Sequence, residues 1–442
     1  MAAALDLADI QGTVLRSRPM PYFGSYLIFR IDEAGAARSF LSRLIPRVTS
    51  AADWEHPVED AWINLVFTAE GLRRLGVAED ILAGFPPEFQ QGMAARSRFL
   101  GDVGASDPSA WDMPHGGTGF HAGILIMAGS EALRDDKLAI GHAALEGLDG
   151  VALIDRIDIA VPPTLREHFG YADGISRPFI EGEGGAPLPG QGEPAKAGEF
   201  VLGYENELGL VATAGGPPEL WRNGIFIALR KIRQHVAEFR RFLRENAAAA
   251  GGEEMLAAKL MGRWRSGAPL ALAPETDAPE LVADKMRNNA FAYAEDIDGR
   301  ITPAGCHIRR VNPRDALGES LTDIRLHRIL RRGAAYGPPL PEAATEDDGA
   351  DRGIILALIN ANPGRQFEFV QSQWINDGDF ISQGARTDPI VGRRDRADDY
   401  AYPARPVRRR LTGLADFTTV RGGEHVFLPG LGGLAWLAGG AQ

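Results

Sequence analysis

The chain has 442 residues, 45% hydrophobic and 24% charged, an ordinary globular composition long enough for one large core or two fused domains. A formal charge of −12 argues against nucleic acid as a partner, because phosphate binding is driven by clustered lysine and arginine. The one cysteine, Cys306, excludes intramolecular disulfides and multi-cysteine zinc or iron–sulfur sites, and no apolar run approaches the roughly 20 residues a membrane-spanning helix needs.

Residues 1–10 carry neither a basic segment followed by an apolar run nor an early twin arginine, so a cytoplasmic location is the expectation. Residues 25–31 form a largely apolar run, and Ala37, Phe40, Leu41 and Leu44 follow at helical spacing. Ile63, Leu65 and Phe67 precede a second helical stretch at 69–75. Residues 120–128 and 151–161 read as further strands, and 182–198 as a Gly/Pro-rich loop. The second half repeats the theme: 225–229 leads into Ile232, Val236, Phe239 and Leu243 on one helical face, and 354–359 precedes Phe367, Val370 and Trp374. The first of these segments matches 25–44 and the second matches 63–75, which points to a duplication. Residues 336–353 and 383–410 are long polar connections. Alternating strands and helices without a Gly-rich phosphate loop predict an α+β architecture, two antiparallel sheets packed together with helices outside.

Three stretches carry polar groups suited to chemistry, although each by itself has a plainer structural reading. In Phe169-Gly-Tyr-Ala-Asp-Gly-Ile-Ser-Arg-Pro178, Gly170 and Gly174 bracket Asp173, which suits a tight turn presenting one carboxylate; Asp-Gly is also simply a common turn. In Pro303-Ala-Gly-Cys-His-Ile-Arg-Arg-Val-Asn-Pro-Arg314, His307 stands beside Arg309, Arg310 and Arg314, a positive cluster suited to an anionic cofactor or to an exposed basic turn. In His327-Arg-Ile-Leu-Arg-Arg-Gly-Ala-Ala-Tyr-Gly-Pro338, a pair of arginines could meet a small anionic ligand or form surface ion pairs. No Gly-x-Ser-x-Gly elbow or His-Glu-x-x-His motif supports a hydrolase.

Taken in order, the three stretches resemble dye-decolourising peroxidases: the Gly-x-x-Asp-Gly motif at 170–174, the haem-ligand segment at 305–314 and the arginine segment at 328–337. Arg352-Gly-Ile-Ile-Leu, Gln366-Phe-Glu-Phe-Val-Gln, Asp388-Pro-Ile-Val-Gly and Arg421-Gly-Gly-Glu-His-Val-Phe-Leu-Pro429 add to the match, which runs from Asp9-Ile-Gln-Gly to the end and is closest in length to the longer members.

The resemblance implies a duplicated ferredoxin-like fold of the dimeric α+β barrel type. Its halves would be 1–215, with the Gly-x-x-Asp-Gly motif, and 216–442, with the haem ligand. It implies haem b held by His307 as proximal iron ligand, with Gly174, Ile175, Arg309, Ile354 and Leu356 around the cofactor. Asp173 would be the distal acid/base and Arg331, rather than its neighbour Arg332, the distal arginine. A carboxylate on the other nitrogen of His307 would strengthen it as a donor; Asp416 is the first choice and Glu424 the second. Tyr336 and Trp374 match surface electron-transfer positions, while the helical stripe of Phe367, Val370 and Trp374 equally fits a core aromatic. Leu356 departs from the family, which often places an aromatic there. The implied activity is reduction of hydrogen peroxide with one-electron oxidation of dyes and phenolics, best in acid, with an oligomer left open. The competing readings are a haem carrier or iron-release protein with incidental peroxidase activity, and a haem-free interaction scaffold.

Overall fold

The computed structural model describes residues 4–52, 60–317, 322–395, 398–404 and 407–439; residues 1–3 of the N-terminal stretch and parts of the 383–410 connection lie outside them. Eight strands close into one barrel: β1 (Phe23–Ile31), β2 (Ala61–Phe67), β3 (Ala122–Ala128), β4 (Val151–Ala160), β5 (Ile225–Gln234), β6 (Leu330–Tyr336), β7 (Gly353–Asn360) and β10 (Thr418–Leu428). Two short strands, β8 (Tyr400–Tyr402) and β9 (Arg409–Leu411), pair separately.

The order around the barrel is β1-β3-β2-β10-β5-β7-β6-β4, and every neighbouring pair is antiparallel. Numbered within its own half, each set of four strands runs fourth, first, third, second. The duplication expected from periodicity is therefore present as topology. Its internal correspondence differs from the sequence reading in one respect. The segment 354–359 is a third strand, so its counterpart is β3, and the counterpart of β2 is β6. A strand followed by a helix has the same apolar pattern in either position, and only pairing distinguishes them.

The two expected sheets are one closed surface. The halves meet at two short junctions, where Phe427 of β10 pairs with Phe67 of β2 and Ile159 of β4 pairs with Tyr336 of β6. Closure leaves no open edge among these strands. Inside, Ile28, Val66, Leu125, Ile159, Ile227, Leu229, Ile355, Ile359 and Val426 form a single apolar core, and the N-terminal segment adds Ile10, Val14 and Leu15 to it.

Outside, the two halves are covered differently. Over β1, β2 and β3 lie the helices Ala34–Leu44, Glu131–Leu145 and Leu431–Gly439, through Phe40, Leu41, Leu44, Leu138, Leu434 and Leu437. In the second half the helix Val236–Ala250 packs instead on Phe169, Tyr171 and Phe417. Part of the outer face of β5, β6 and β7 is thereby left for a cavity. No helix among the described residues is long and apolar enough to cross a membrane.

Phe427 is fully buried among Phe85, Phe89 and Phe226, with ring centroids 5.3–6.4 Å away, and its strand position is the junction to β2. Phe427→Ala is expected to cost roughly 3–5 kcal/mol of stability. Urea unfolding checks this, and a loss below about 1 kcal/mol would mean that the junction does not need the cluster.

Candidate functional site

A cavity of about 1400 Å³ lies against the second half of the barrel. Ile232 and Gln234 of β5, Arg331 of β6, and Ile354, Leu356 and Leu358 of β7 form its barrel wall. Successive side chains of a strand point to opposite faces, which is why Ile355, Ala357 and Ile359 belong to the barrel core instead. Other walls come from Asp173, Gly174 and Ile175, from His307, and from Phe367, Val370 and Trp374.

The same alternation separates the two arginines of β6. Arg331 faces the cavity, where 45% of its side chain is accessible, and its Nη2 donates to Asp173 Oδ1 at 2.5 Å. Arg332 turns the other way and donates to the carbonyls of Thr13 (3.3 Å) and Val14 (3.0 Å).

Asp173 is held out by a loop folded upon itself. The Glu167 carboxylate accepts from the amides of Phe169 (3.1 Å) and Tyr171 (2.8 Å) and from the Gln234 side chain (2.5 Å). Gly170 and Gly174 take φ values of +93° and +78°, the left-handed region that glycine enters without strain. Asp173 Oδ2 accepts from Arg18 Nη2 at 3.1 Å, so each oxygen has its own guanidinium. A Cβ at Gly333 would stand 3.3 Å from Oδ2 and 3.2 Å from Leu356, which explains a glycine in β6 where the carboxylate lies against the strand. Burial pushes the Asp173 carboxyl up, but Arg331, Arg18 and the Gly174 amide together outweigh it and hold the group below the ordinary carboxylate value.

His307 opens the helix His307–Val311. Its Nδ1 lies 2.9 Å from Oδ2 of the fully buried Asp388, whose Oδ1 accepts from the amides of Ile390 (2.8 Å) and Val391 (3.0 Å). Burial opposes the charge on Asp388; the adjacent His307, then Arg310 and the Val391 amide, prevail and bring the carboxyl down to about 2. The partner of His307 is thus Asp388, not Asp416 or Glu424. Glu424 is committed to the amides of Met93 (3.0 Å), Gly116 (2.6 Å) and His425 (2.8 Å), while Asp416 sits elsewhere on the cavity wall.

Three further expectations change. Arg309 is buried away from the cavity, donating to Thr302 O (2.7 Å), Asp296 O (2.7 Å) and Asp296 Oδ2 (3.2 Å), with its guanidinium 4.5 Å from the Tyr293 ring. A short helix sends neighbouring residues in different directions, and of the basic cluster it is Arg314 that lines the cavity. Tyr336 is not a surface residue: it is 4% exposed inside the barrel, with its hydroxyl donating to Asp351 Oδ1 at 3.1 Å. Trp374 is 3% exposed; it lines the cavity and meets Phe369 edge-on at 5.5 Å and Phe380 stacked at 5.7 Å.

The donor set fits a haem. The cavity offers an apolar wall, an imidazole whose Nδ1 is already committed to a carboxylate, and arginine side chains on its lining. Sequence reasoning missed Arg18, for which there was no local signal. It also passed over Asp388, although Asp388-Pro-Ile-Val-Gly was one of the matching segments.

A model of the DyP dimeric alpha+beta barrel domain matches residues 9–147. Peroxidase 2 of Mycetinis scorodonius is 32% identical, with 97% of this chain and 87% of that protein covered. A dye-decolorizing peroxidase of Mycena epipterygia is 31% identical, with 98% and 87% covered. A solved dye-decolorizing peroxidase in complex with 2,6-dimethoxyphenol superposes with a TM-score of 0.86 at 29% identity, covering 98% of this chain and 100% of that one. A fungal DyP-type peroxidase from Auricularia auricula-judae gives 0.86 at 28% identity, covering 99% and 100%.

The buried Asp388 carboxylate has a consequence for stability. A carboxyl whose folded value lies below its unfolded one contributes stability that is complete above about pH 4 and lost as pH falls through the folded value, here about 2. Urea unfolding of the haem-free protein should therefore show roughly 2 kcal/mol less stability at pH 2 than at pH 5 from this group. Asp388→Asn should flatten that part of the profile; an equal slope in the variant would assign the loss to other carboxylates.

Proposed function

The chain belongs to the dye-decolourising peroxidase family, and from that premise we propose that Asp173 and Arg331 act on hydrogen peroxide while His307 ligates the iron of haem b. The enzyme is a haem peroxidase that reduces hydrogen peroxide and oxidises dyes and phenolics. When bound, the haem supplies the redox chemistry, delivering two electrons to peroxide and recovering them singly from donors. The observation that carries the assignment is the Asp173 carboxylate held in the cavity by Arg331 at 2.5 Å.

His307 would hold the cofactor, with Asp388 on its Nδ1 fixing the ring and raising its donor strength. Gly174, Ile175, Ile354 and Leu356 would lie against the cofactor. Arg314, rather than Arg309, lines the cavity; its Nη1 donates to the carbonyls of Gly190, Asn289 and Phe291, so its other guanidinium nitrogens would be the ones to meet the cofactor's carboxylates.

Peroxide must lose a proton from one oxygen and regain one on the oxygen that leaves as water. Asp173, ionised and aimed into the cavity, would take the first proton on a carboxylate oxygen and return it to the departing one. Arg331 would stabilise negative charge on that departing oxygen. This division of labour also favours peroxidase chemistry over haem carriage, which needs an axial ligand and neither of these two groups.

Because arginine holds the Asp173 carboxyl below about 3.8, its base form survives into acid, where a histidine would already be protonated. An acidic optimum is therefore part of the proposal. So are the halves 1–215 and 216–442 as the duplicated units, supported by the recurrence of one strand order. A cytoplasmic location belongs with them.

Asp173→Asn is expected to lower peroxide-dependent oxidation of a phenol by roughly 10²–10⁴-fold with haem content unchanged. Arg331→Leu should cost about 10²–10³-fold. Steady-state assays of haem-loaded protein decide; near-normal turnover in either variant removes that residue from the mechanism.

A further inference from the structure

We propose that Arg18, from the segment ahead of β1, is a positioning residue for the peroxide reaction, fixing the orientation and charge of Asp173 from the side opposite to its contact with Arg331. This inference rests on the assignment of Asp173 as the proton carrier. The two guanidiniums share the carboxylate one oxygen each: Arg331 on Oδ1 at 2.5 Å and Arg18 on Oδ2 at 3.1 Å. They differ in freedom. Arg331 keeps 45% of its side chain accessible, whereas Arg18 keeps 11%, with its guanidinium 4.4 Å from the ring of Tyr22. Tyr22 is itself fixed, its hydroxyl accepting the Ala335 amide of β6 at 2.8 Å.

The segment that carries Arg18 is anchored by the other arginine of β6. Arg332 donates to the carbonyls of Thr13 and Val14, and Val14 and Leu15 enter the barrel core. Adjacent residues of one strand therefore supply Asp173 with both its cations, Arg331 directly and Arg332 by pinning the segment that brings Arg18. A carboxylate held by a single flexible arginine could swing with it. Held from two sides, it stays aimed at one point of the cavity. The other titratable groups facing it are Tyr22 and Glu167, of which neither adds positive charge.

The test is the pH profile of kcat/KM for peroxide in the haem-loaded protein. The acid limb reports ionisation of the proton carrier. Removing one of two adjacent cations in Arg18→Gln should move that limb upward by about one pH unit, with haem content and the alkaline side unchanged. Arg18→Lys, which keeps the charge, should return the limb most of the way. Should Arg18→Gln not fold, Arg18→Met, long and apolar enough to keep the contact with Tyr22, carries the same expectation. A limb that stays in place in the neutral variants, or that moves equally in Arg18→Lys, overturns the proposal. Asp173→Asn in the same assay isolates the premise: full activity there sinks the assignment of Asp173, whereas lost activity there with an unmoved limb in the Arg18 variants sinks only the role of Arg18.

Discussion

A β-strand must send neighbouring side chains to opposite faces, and this site depends on that constraint. In β6 it turns Arg331 outward to the cavity and Arg332 inward to the N-terminal segment. In β7 it gives the cavity Ile354, Leu356 and Leu358 and gives the core Ile355, Ala357 and Ile359. Closure of the barrel makes the alternation rigid, since a one-residue slip in either strand would exchange the two sets and expose the core.

The duplicated halves use this surface for different purposes. In the first, apolar helices cover the outer face and supply stability. In the second, the corresponding helix packs to one side, and the uncovered face becomes the wall of a cavity. Chemistry is then supplied by loops laid against that wall: the turn at Asp173, the short helix at His307 and the turn at Asp388. Each of the two aspartates is stabilised as an anion by cations and amides arranged around it, against the penalty of burial.

Much of the fold was legible in the sequence because its signal is local. The apolar runs marked strands, helical spacing marked the helices at Ala37–Leu44 and Val236–Leu243, and their recurrence marked the duplication, although Ile232, read with the second helix, belongs to strand β5. The two antiparallel sheets are present and join edge to edge as one barrel, whereas the matching of 354–359 with 63–67 as repeats failed for one reason. Pairing between strands is a long-range property, and hydrophobic period is identical in a second strand and a third.

The sequence by itself determined the element types, the ordered motifs at Asp173, His307 and Arg331, and through them the family. Tertiary structure alone decided which charges meet. Asp388 reaches His307 across 81 positions, Arg18 reaches Asp173 across 155, and the Arg309 beside the histidine is carried away from the cavity. Tyr336 and Trp374, matched to surface positions, are enclosed by the barrel and by the cavity wall. Local patterns record which face a residue prefers; ion pairs depend on where distant segments are brought together, and no spacing rule encodes that distance.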